Sequence, residues 1–123
     1  MNEERWKKLD VWRLADEMAY QVYLKTRTFP KEEIYGLTSQ LRRTALSVPA
    51  NIVEGYSRKG DKELLRFLNI SLGSLAEAKY LLSFANRLGY LEMAQFTDLE
   101  NGYERLGKSL WKFYEAVQDR KDF

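Results

Sequence analysis

The sequence predicts an all-α protein: an antiparallel four-helix bundle with up-down-up-down topology, in a single domain over residues 1–123. Apolar residues recur at three- and four-residue spacing in four successive segments, and no alternating strand pattern of useful length interrupts them. The connectors between these segments are too short for a long crossover. Helices that follow each other in the chain are therefore expected to pack antiparallel.

The four helices are expected at about residues 11–27, 31–55, 61–88 and 93–119. The first ends before Pro30, because the residue that precedes a proline is disfavoured in a helix. The second is expected to begin directly after Pro30, with Glu32 and Glu33 at the positive end of its dipole. Pro49 lies inside this helix and is expected to bend it, because the carbonyl of Ala45 loses its usual partner.

The third and fourth helices have the clearest apolar patterns. Asp61 is a candidate N-cap for the third helix, which is expected to stop at Gly89. This helix carries two apolar seams, so more than one neighbour is expected to pack on it. The fourth helix has seven apolar residues spaced alternately three and four apart, an unbroken heptad seam typical of bundles. These residues are Phe96, Leu99, Tyr103, Leu106, Leu110, Phe113 and Val117.

The chain has no histidine and no cysteine. This excludes disulfides, zinc held by Cys or His, cysteine nucleophiles and Ser-His-Asp catalysis. The di-iron site of bundle proteins takes Glu-x-x-His on two helices, and Glu54 and Glu77 alone cannot supply that ligand set. We therefore expect no catalytic site, no metal and no cofactor, and predict that the protein is not an enzyme.

The composition also predicts the compartment. Residues 1–10, MNEERWKKLD, lack the apolar core of a secretory signal. No stretch approaches the ~20 apolar residues of a membrane span. A cytoplasmic protein without a membrane partner is expected.

A stripe of polar side chains runs along the second helix. At ~100° per residue its members fall within roughly an 80° arc. We call it the polar stripe: Gln40, Arg43, Ser47, Asn51 and Glu54, with Glu77 of the third helix beside it. The structural interpretation is that Ser47 and Asn51 bond to backbone groups disturbed by Pro49, while Glu54 pairs with an arginine of another helix. A small polar site for a ligand or an RNA end is the alternative.

The same region carries a family resemblance. The strings Tyr35-Gly36-Leu37, Gln40-Leu41-Arg42-Arg43 and Ser47-Val48-Pro49-Ala50-Asn51-Ile52-Val53-Glu54-Gly55 resemble the signature of the four-helix-bundle proteins encoded in intervening sequences of bacterial 23S rRNA genes. Further similar blocks are Arg66-Phe67-Leu68, Gly73-Ser74-Leu75, Glu77 and Leu88-Gly89-Tyr90-Leu91. Val53 departs from the pattern, because alanine is more usual there.

The resemblance implies a bundle that assembles as a ring-shaped homopentamer and has no catalytic activity. It implies no settled molecular role. A more distant similarity, to the accessory variability proteins of retroelements, implies contact with nucleic acid and with a reverse transcriptase.

Six basic residues are candidates for nucleic-acid binding: Arg42, Arg43, Arg58, Lys59, Lys62 and Arg66. Residues 36–91 hold eight Lys or Arg against four Asp or Glu, whereas residues 92–123 hold five against seven. A surface formed by the middle of the chain can therefore attract phosphates although the formal net charge is only +2. The alternative is that these residues are ordinary solvated charges paired with Glu54, Glu63 and Glu77.

The chain has more aromatic residues than the core of one small bundle is expected to bury. Trp6, Tyr20, Tyr23, Tyr80 and Trp111 fall outside the apolar seams, and interfaces between subunits are enriched in Trp and Tyr. We therefore expect a homo-oligomer. Two functions remain open: binding of RNA or another nucleic acid, and an adaptor or scaffold that binds only proteins.

Overall fold

The computed structural model describes residues 4–120. Its α-helices are α1 Asp10–Lys25, α2 Leu37–Ser57, α3 Asp61–Arg87 and α4 Met93–Arg120. Short 3-10 turns lie at Arg5–Lys8, Thr26–Thr28 and Lys31–Glu33. These described residues contain no strand, so the predicted all-α class is confirmed.

The helices form the predicted four-helix bundle. Each packs against its neighbours in the chain, and α4 returns to pack against α1. The connectors 58–60 and 88–92 are short, so each reverses the direction of the chain. The start of α1, the end of α2, the start of α3 and the end of α4 therefore lie at one end of the bundle. An ion pair of 3.1 Å between Arg120 of α4 and Asp61 of α3 joins two of these termini.

The heptad seam of α4 faces the core as predicted. Leu99, Tyr103, Leu106, Leu110 and Val117 are buried, and Phe96 and Phe113 are half-buried. Full burial of such a side chain contributes about 1.5–3 kcal/mol relative to its exposed state. Tyr103 is the one seam residue with a polar atom, and its hydroxyl has no hydrogen-bond partner within residues 4–120. Burial raises the pKa of this phenol well above its usual value.

α2 begins at Leu37, six residues later than the expected start at residue 31. Gly36 has φ −112° and ψ −114°, outside the helical region, so one helix cannot continue through it. The Glu33 carboxylate instead accepts a hydrogen bond from the backbone N–H of Leu37 at 3.0 Å. Its other oxygen accepts one from the Tyr90 hydroxyl, which raises the pKa of Tyr90. Ile34 lies before the start of α2 and is half exposed.

The turn between α2 and α3 depends on a glycine. Gly60 has φ +85°, a left-handed conformation that glycine adopts without strain. Asp61 was expected to be the N-cap of α3, but it is the first helical residue, and Gly60 occupies the cap position. The prediction failed because the Asp61 carboxylate pairs with Arg120 across the bundle instead of bonding to its own helix.

α2 and α3 approach each other closely near the end of α2. A Cβ atom placed on Gly55 would lie 2.7 Å from the Cβ of Phe67. Earlier in α2, the helix continues through the buried Pro49, and the bend there stays a prediction. The Ser71 hydroxyl of α3 is fully buried and donates a hydrogen bond to the carbonyl oxygen of Val48 at 2.8 Å. Small residues therefore allow the two helices to pack with direct polar contact.

Candidate nucleic-acid interface

The structure divides the six candidate basic residues into two groups. Arg42 and Arg43 lie in the first half of α2, whereas the other four surround the turn between α2 and α3. At 1.5 Å per residue, Arg42 and Arg58 are separated by about 24 Å along the helix axis. We call the four residues at the turn the basic end: Arg58, Lys59, Lys62 and Arg66.

Arg42 and Arg43 have different surroundings. The half-buried Arg42 donates from Nε to the Thr26 hydroxyl at 2.8 Å and from Nη2 to the carbonyl of Tyr23 at 3.3 Å. Its guanidinium also lies 5.0 Å from the centroid of the Tyr23 ring. Arg43 is exposed and donates to the Ser39 hydroxyl one turn earlier. Arg42 therefore joins α2 to the end of α1, away from the basic end.

Two guanidinium groups of the basic end lie against one aromatic ring. The guanidinium carbon of Arg58 is 5.2 Å from the Phe67 ring centroid, and that of Arg66 is 4.4 Å from it. Phe67 itself is 8% exposed and belongs to the contact between α2 and α3. Cation–π contacts at such distances contribute about 0.5–1 kcal/mol at exposed sites. The ring thus holds both arginines near the surface of the turn.

Three carboxylates lie among these cations, and each is already paired. Glu54 pairs with Arg58 at 2.7 Å, and Glu63 pairs with Arg66 at 3.3 Å. Asp61 pairs with α4, as described above. All three pairs are substantially exposed, so each contributes little to stability.

Lys59 and Lys62 are the uncompensated charges of the basic end. Both are exposed, and neither forms an ion pair with a carboxylate of residues 4–120. Arg5 extends the surface from the turn before α1, where it donates to the Tyr56 hydroxyl at 3.5 Å. The sequence interpretation missed Arg5. The predicted topology could have placed Arg5 at this surface, because antiparallel packing brings the residues before α1 beside the end of α2.

The centre of the polar stripe is bonded within the protein. The hydroxyls of Ser47 and Ser74 lie 2.9 Å apart and link α2 to α3. Asn51 donates to the carbonyl of Ser47 at 2.8 Å and to its hydroxyl at 2.9 Å. The Ser47 carbonyl is the usual helical acceptor of the Asn51 N–H, so this bond is not to the group that Pro49 deprives of a partner. No side chain of residues 4–120 bonds to the Ala45 carbonyl, and the expected repair of the backbone at Pro49 is not observed.

The two acidic members of the stripe have different partners. Glu77 accepts hydrogen bonds from Gln40 at 3.4 Å and from Thr44 at 3.3 Å, both on α2. Glu54 was expected to pair with an arginine of another helix, and this was wrong. It pairs with Arg58, the residue directly after the end of α2, which lies closer to it in the chain than any arginine of another helix.

Neither a metal centre nor a membrane span is found in the described part of the chain. Within residues 4–120, no three acidic side chains converge as a metal ion would require. Over the same range, no helix has the length and apolar character needed to cross a bilayer.

Large apolar side chains are exposed on two different faces of the bundle. One group borders a groove between α1 and α2, and the other borders a groove between the start of α2 and the end of α3. The first group consists of Tyr20, Tyr23 and Leu46, and the second of Tyr80, Phe84 and Leu88. Trp6, in contrast, is half-buried and packs edge-on against Trp12 at 4.9 Å.

Comparison with known proteins identifies the family. A solved structure of a protein of unknown function from the S23 ribosomal protein family of Bacteroides thetaiotaomicron VPI-5482 has the same fold, with a TM-score of 0.78 and 22% sequence identity. The match covers 94% of this chain and 99% of that one. No curated protein matches the chain. The model of the family described as 23S rRNA-intervening sequence protein matches residues 7–112. The chain therefore belongs to the 23S rRNA-intervening sequence protein family.

Proposed function

We propose that this protein is a self-assembling, non-enzymatic protein that binds RNA through the phosphate backbone. The observation that carries the proposal is the basic end, where four cations meet at one turn and Lys59 and Lys62 form no ion pair within residues 4–120. Phosphate contacts of this kind supply most of the sequence-independent affinity for nucleic acids, because they release condensed counterions.

The arginines of the basic end can contribute as well. Arg58 and Arg66 are half exposed and bind their carboxylates in pairs that water already screens. A phosphate can approach the exposed edge of either guanidinium while the ring of Phe67 keeps its face covered. The guanidinium groups of the two arginines are therefore held in place by their contacts. The ammonium groups of the two lysines can move to meet a phosphate, because each is carried on a flexible side chain.

The test is RNA binding by a charge-reversal variant, Lys59→Glu with Lys62→Glu, measured by fluorescence anisotropy at several salt concentrations. The matched control is Arg27→Glu with Lys31→Glu, which makes the same change in net charge at the opposite end of the bundle. We expect the first variant to lower both the affinity and its dependence on salt, since the slope falls by about one for each phosphate that the protein no longer neutralises. The control is expected to bind RNA much as the unchanged protein does.

Two outcomes contradict this proposal. Equal losses in both variants would mean that net charge alone attracts RNA. No salt-sensitive retention of RNA by the unchanged protein would favour an adaptor that binds only proteins. Circular dichroism checks that each variant remains helical.

Self-assembly is supported by a separate observation, the two exposed apolar faces. A ring requires two different, complementary patches on each subunit, whereas a two-fold dimer requires one patch that matches itself. Here one face presents Tyr20, Tyr23 and Leu46, and another presents Tyr80 and Phe84. The family resemblance supplies the expected number of five subunits.

Light scattering coupled to size exclusion measures this directly. The expected mass is about five times 14.5 kDa. Tyr80→Asp is expected to lower the mass, because it places a charge in an apolar contact. Tyr35→Asp is the control, because Tyr35 is exposed but lines neither of the two grooves. A monomer of the unchanged protein at micromolar concentration would contradict self-assembly.

A further inference from the structure

We infer that the groove between α3 and α4, beside the basic end, binds an unpaired base of a single-stranded nucleic acid on the aromatic pair Trp111 and Tyr114. This inference rests on the proposed function and adds to it the class of nucleic acid. It is carried by a juxtaposition: an exposed aromatic stack continues directly into a groove that contains two cations of the basic end.

The aromatic pair is already arranged for stacking. The rings of Trp111 and Tyr114 lie at an angle of 9°, with their centroids 5.7 Å apart. Trp111 is 51% exposed, so a large apolar surface faces solvent and would be stabilised by a covering ring. A third planar ring can extend the stack, and every nucleobase offers such a ring.

The groove has the size and lining that a nucleotide requires. Its volume is about 350 Å³, within the ~300–1,000 Å³ of small-ligand sites. One wall is formed by α3, with Lys62, Glu63, Leu65, Arg66 and Asn69, and the other by α4, with Tyr114 and Gln118. Glu63 is the carboxylate that is paired with Arg66. Cations and an aromatic ring thus meet within one groove.

Three kinds of side chain in the groove match parts of a nucleotide. Lys62 and Arg66 supply positive charge for the phosphate. The amides of Asn69 and Gln118 each carry both donors and acceptors, which suit the edge of a base. The ring of Tyr114 offers a face for the base itself. A lipid or a peptide helix would use the charges, but neither would require a stacked aromatic pair beside them.

The arrangement selects single strands. Inside a duplex both faces of each base are covered by its neighbours, so only a terminal base pair can reach an aromatic side chain without unstacking. A single strand has faces available at little cost. The groove is therefore expected to favour single-stranded RNA over a blunt duplex that presents the same phosphates to the basic end.

The experiment compares Trp111→Ala with the unchanged protein on three probes: a short single-stranded RNA, a blunt RNA duplex of the same sequence, and the corresponding single-stranded DNA. Loss of one stacked base is expected to weaken binding to the single-stranded RNA about tenfold and to leave duplex binding nearly unchanged. Trp111→Tyr keeps a planar ring and is expected to retain most of the affinity. Tyr35→Ala removes a 95% exposed aromatic residue at the other end of the bundle and is expected to change nothing.

The single-stranded DNA separates a general preference for unpaired bases from a preference for RNA. If Trp111→Ala weakens binding of both single strands, the groove stacks on bases and does not distinguish ribose from deoxyribose. If it weakens binding of the RNA alone, the groove also contacts the 2′-hydroxyl. Equal losses on single strand and duplex would overturn the inference, as would no loss on any probe.

Failure of this inference can be distinguished from failure of the proposed function. If Lys59→Glu with Lys62→Glu weakens every RNA while Trp111→Ala weakens none, the basic end binds phosphates and the groove has no role. If neither variant changes RNA binding, both proposals fall. If Trp111→Ala lowers the oligomeric mass and leaves RNA binding intact, Trp111 belongs to a subunit contact, and the inference is overturned.

Discussion

The polar stripe and the basic end lie on the same pair of helices, but their side chains are bonded differently. In the stripe, Ser47 and Asn51 bond to each other and Ser47 also bonds across to α3, so the Ser47 hydroxyl and the Asn51 amide nitrogen have partners within the protein. At the basic end, Lys59 and Lys62 extend into solvent without an ion pair inside residues 4–120. The difference shows that two polar patterns of similar appearance in the sequence can be bonded within the protein in one place and left open to solvent in the other.

The largest effect is expected at Gly55, where α2 contacts α3 between these two regions. Gly55→Ala places a Cβ 2.7 Å from the Cβ of Phe67 and 3.2 Å from Cδ1 of Leu64, so the helices must move apart. Such overpacking is expected to lower the free energy of unfolding by about 2 kcal/mol. Urea unfolding followed by circular dichroism measures the change.

Gly73→Ala is the matched control for that prediction. Gly73 lies in α3, and a Cβ atom placed on it would have no neighbouring atom within 4 Å, so an alanine meets open space there. The change is expected to stabilise the protein by about 0.5–1 kcal/mol through helix propensity alone. Destabilisation by both substitutions would mean that the close approach at Gly55 is not what distinguishes the two sites.

Ser71→Ala is expected to have the next largest effect. Ser71 is fully buried and donates a 2.8 Å hydrogen bond from α3 to the Val48 carbonyl of α2. Its loss is expected to lower the free energy of unfolding by about 1 kcal/mol. RNA affinity should stay the same in this variant. A change in RNA affinity without a change in stability would contradict the structural role.

Asn51→Ala tests the polar stripe itself. Asn51 donates two hydrogen bonds to Ser47 but is only partly buried, so water can replace some of what is lost. The expected loss of stability is about 0.5–1 kcal/mol, smaller than for Ser71→Ala. Thermal unfolding in parallel with RNA anisotropy measures both properties. Loss of RNA binding with an unchanged unfolding temperature would indicate that the polar stripe is a binding site and would contradict its structural role.

Glu54→Gln is expected to have the smallest effect on stability and an informative effect on binding. The pair between Glu54 and Arg58 is exposed, so its loss should lower the free energy of unfolding by less than about 0.5 kcal/mol. Removing the negative charge also leaves Arg58 available to phosphate, which is expected to raise RNA affinity about threefold at low salt.

Glu77→Gln makes the same charge change in the polar stripe. Glu77 bonds to Gln40 and Thr44 of α2 and lies away from the turn between α2 and α3. Its substitution should leave RNA affinity nearly unchanged. An equal rise in affinity for both glutamine variants would indicate that RNA responds to total charge and does not contact the basic end.

Periodicity was sufficient to predict the helices, because burial of an apolar seam decides where a helix lies. The seam of α4 is the clearest case, from Leu99 to Val117. The start of α2 was not predictable in the same way. It depends on the backbone of Gly36 and on the Glu33 side chain, which caps Leu37 and binds Tyr90 from far along the chain. Such tertiary bonds leave no periodic signal.

The candidate site was predictable by residue type but not by grouping. Charge counting found the residues of the basic end, but it also included Arg42. The guanidinium of Arg42 donates to the Thr26 hydroxyl and lies over the Tyr23 ring instead. Helix spacing alone cannot show which neighbour a long side chain reaches. The groove was missed because Trp111 and Tyr114 stack at three-residue spacing outside the apolar seam, and the sequence interpretation assigned Trp111 to a subunit contact.

The central claim is that the basic end binds and the polar stripe stabilises. The most direct test measures RNA affinity and urea unfolding on two variants, Asn51→Ala and Lys59→Glu with Lys62→Glu. We predict a crossed result: the asparagine variant loses stability and keeps RNA affinity, and the lysine variant loses RNA affinity and keeps stability. The reverse pattern, or loss of both properties in both variants, would contradict the account.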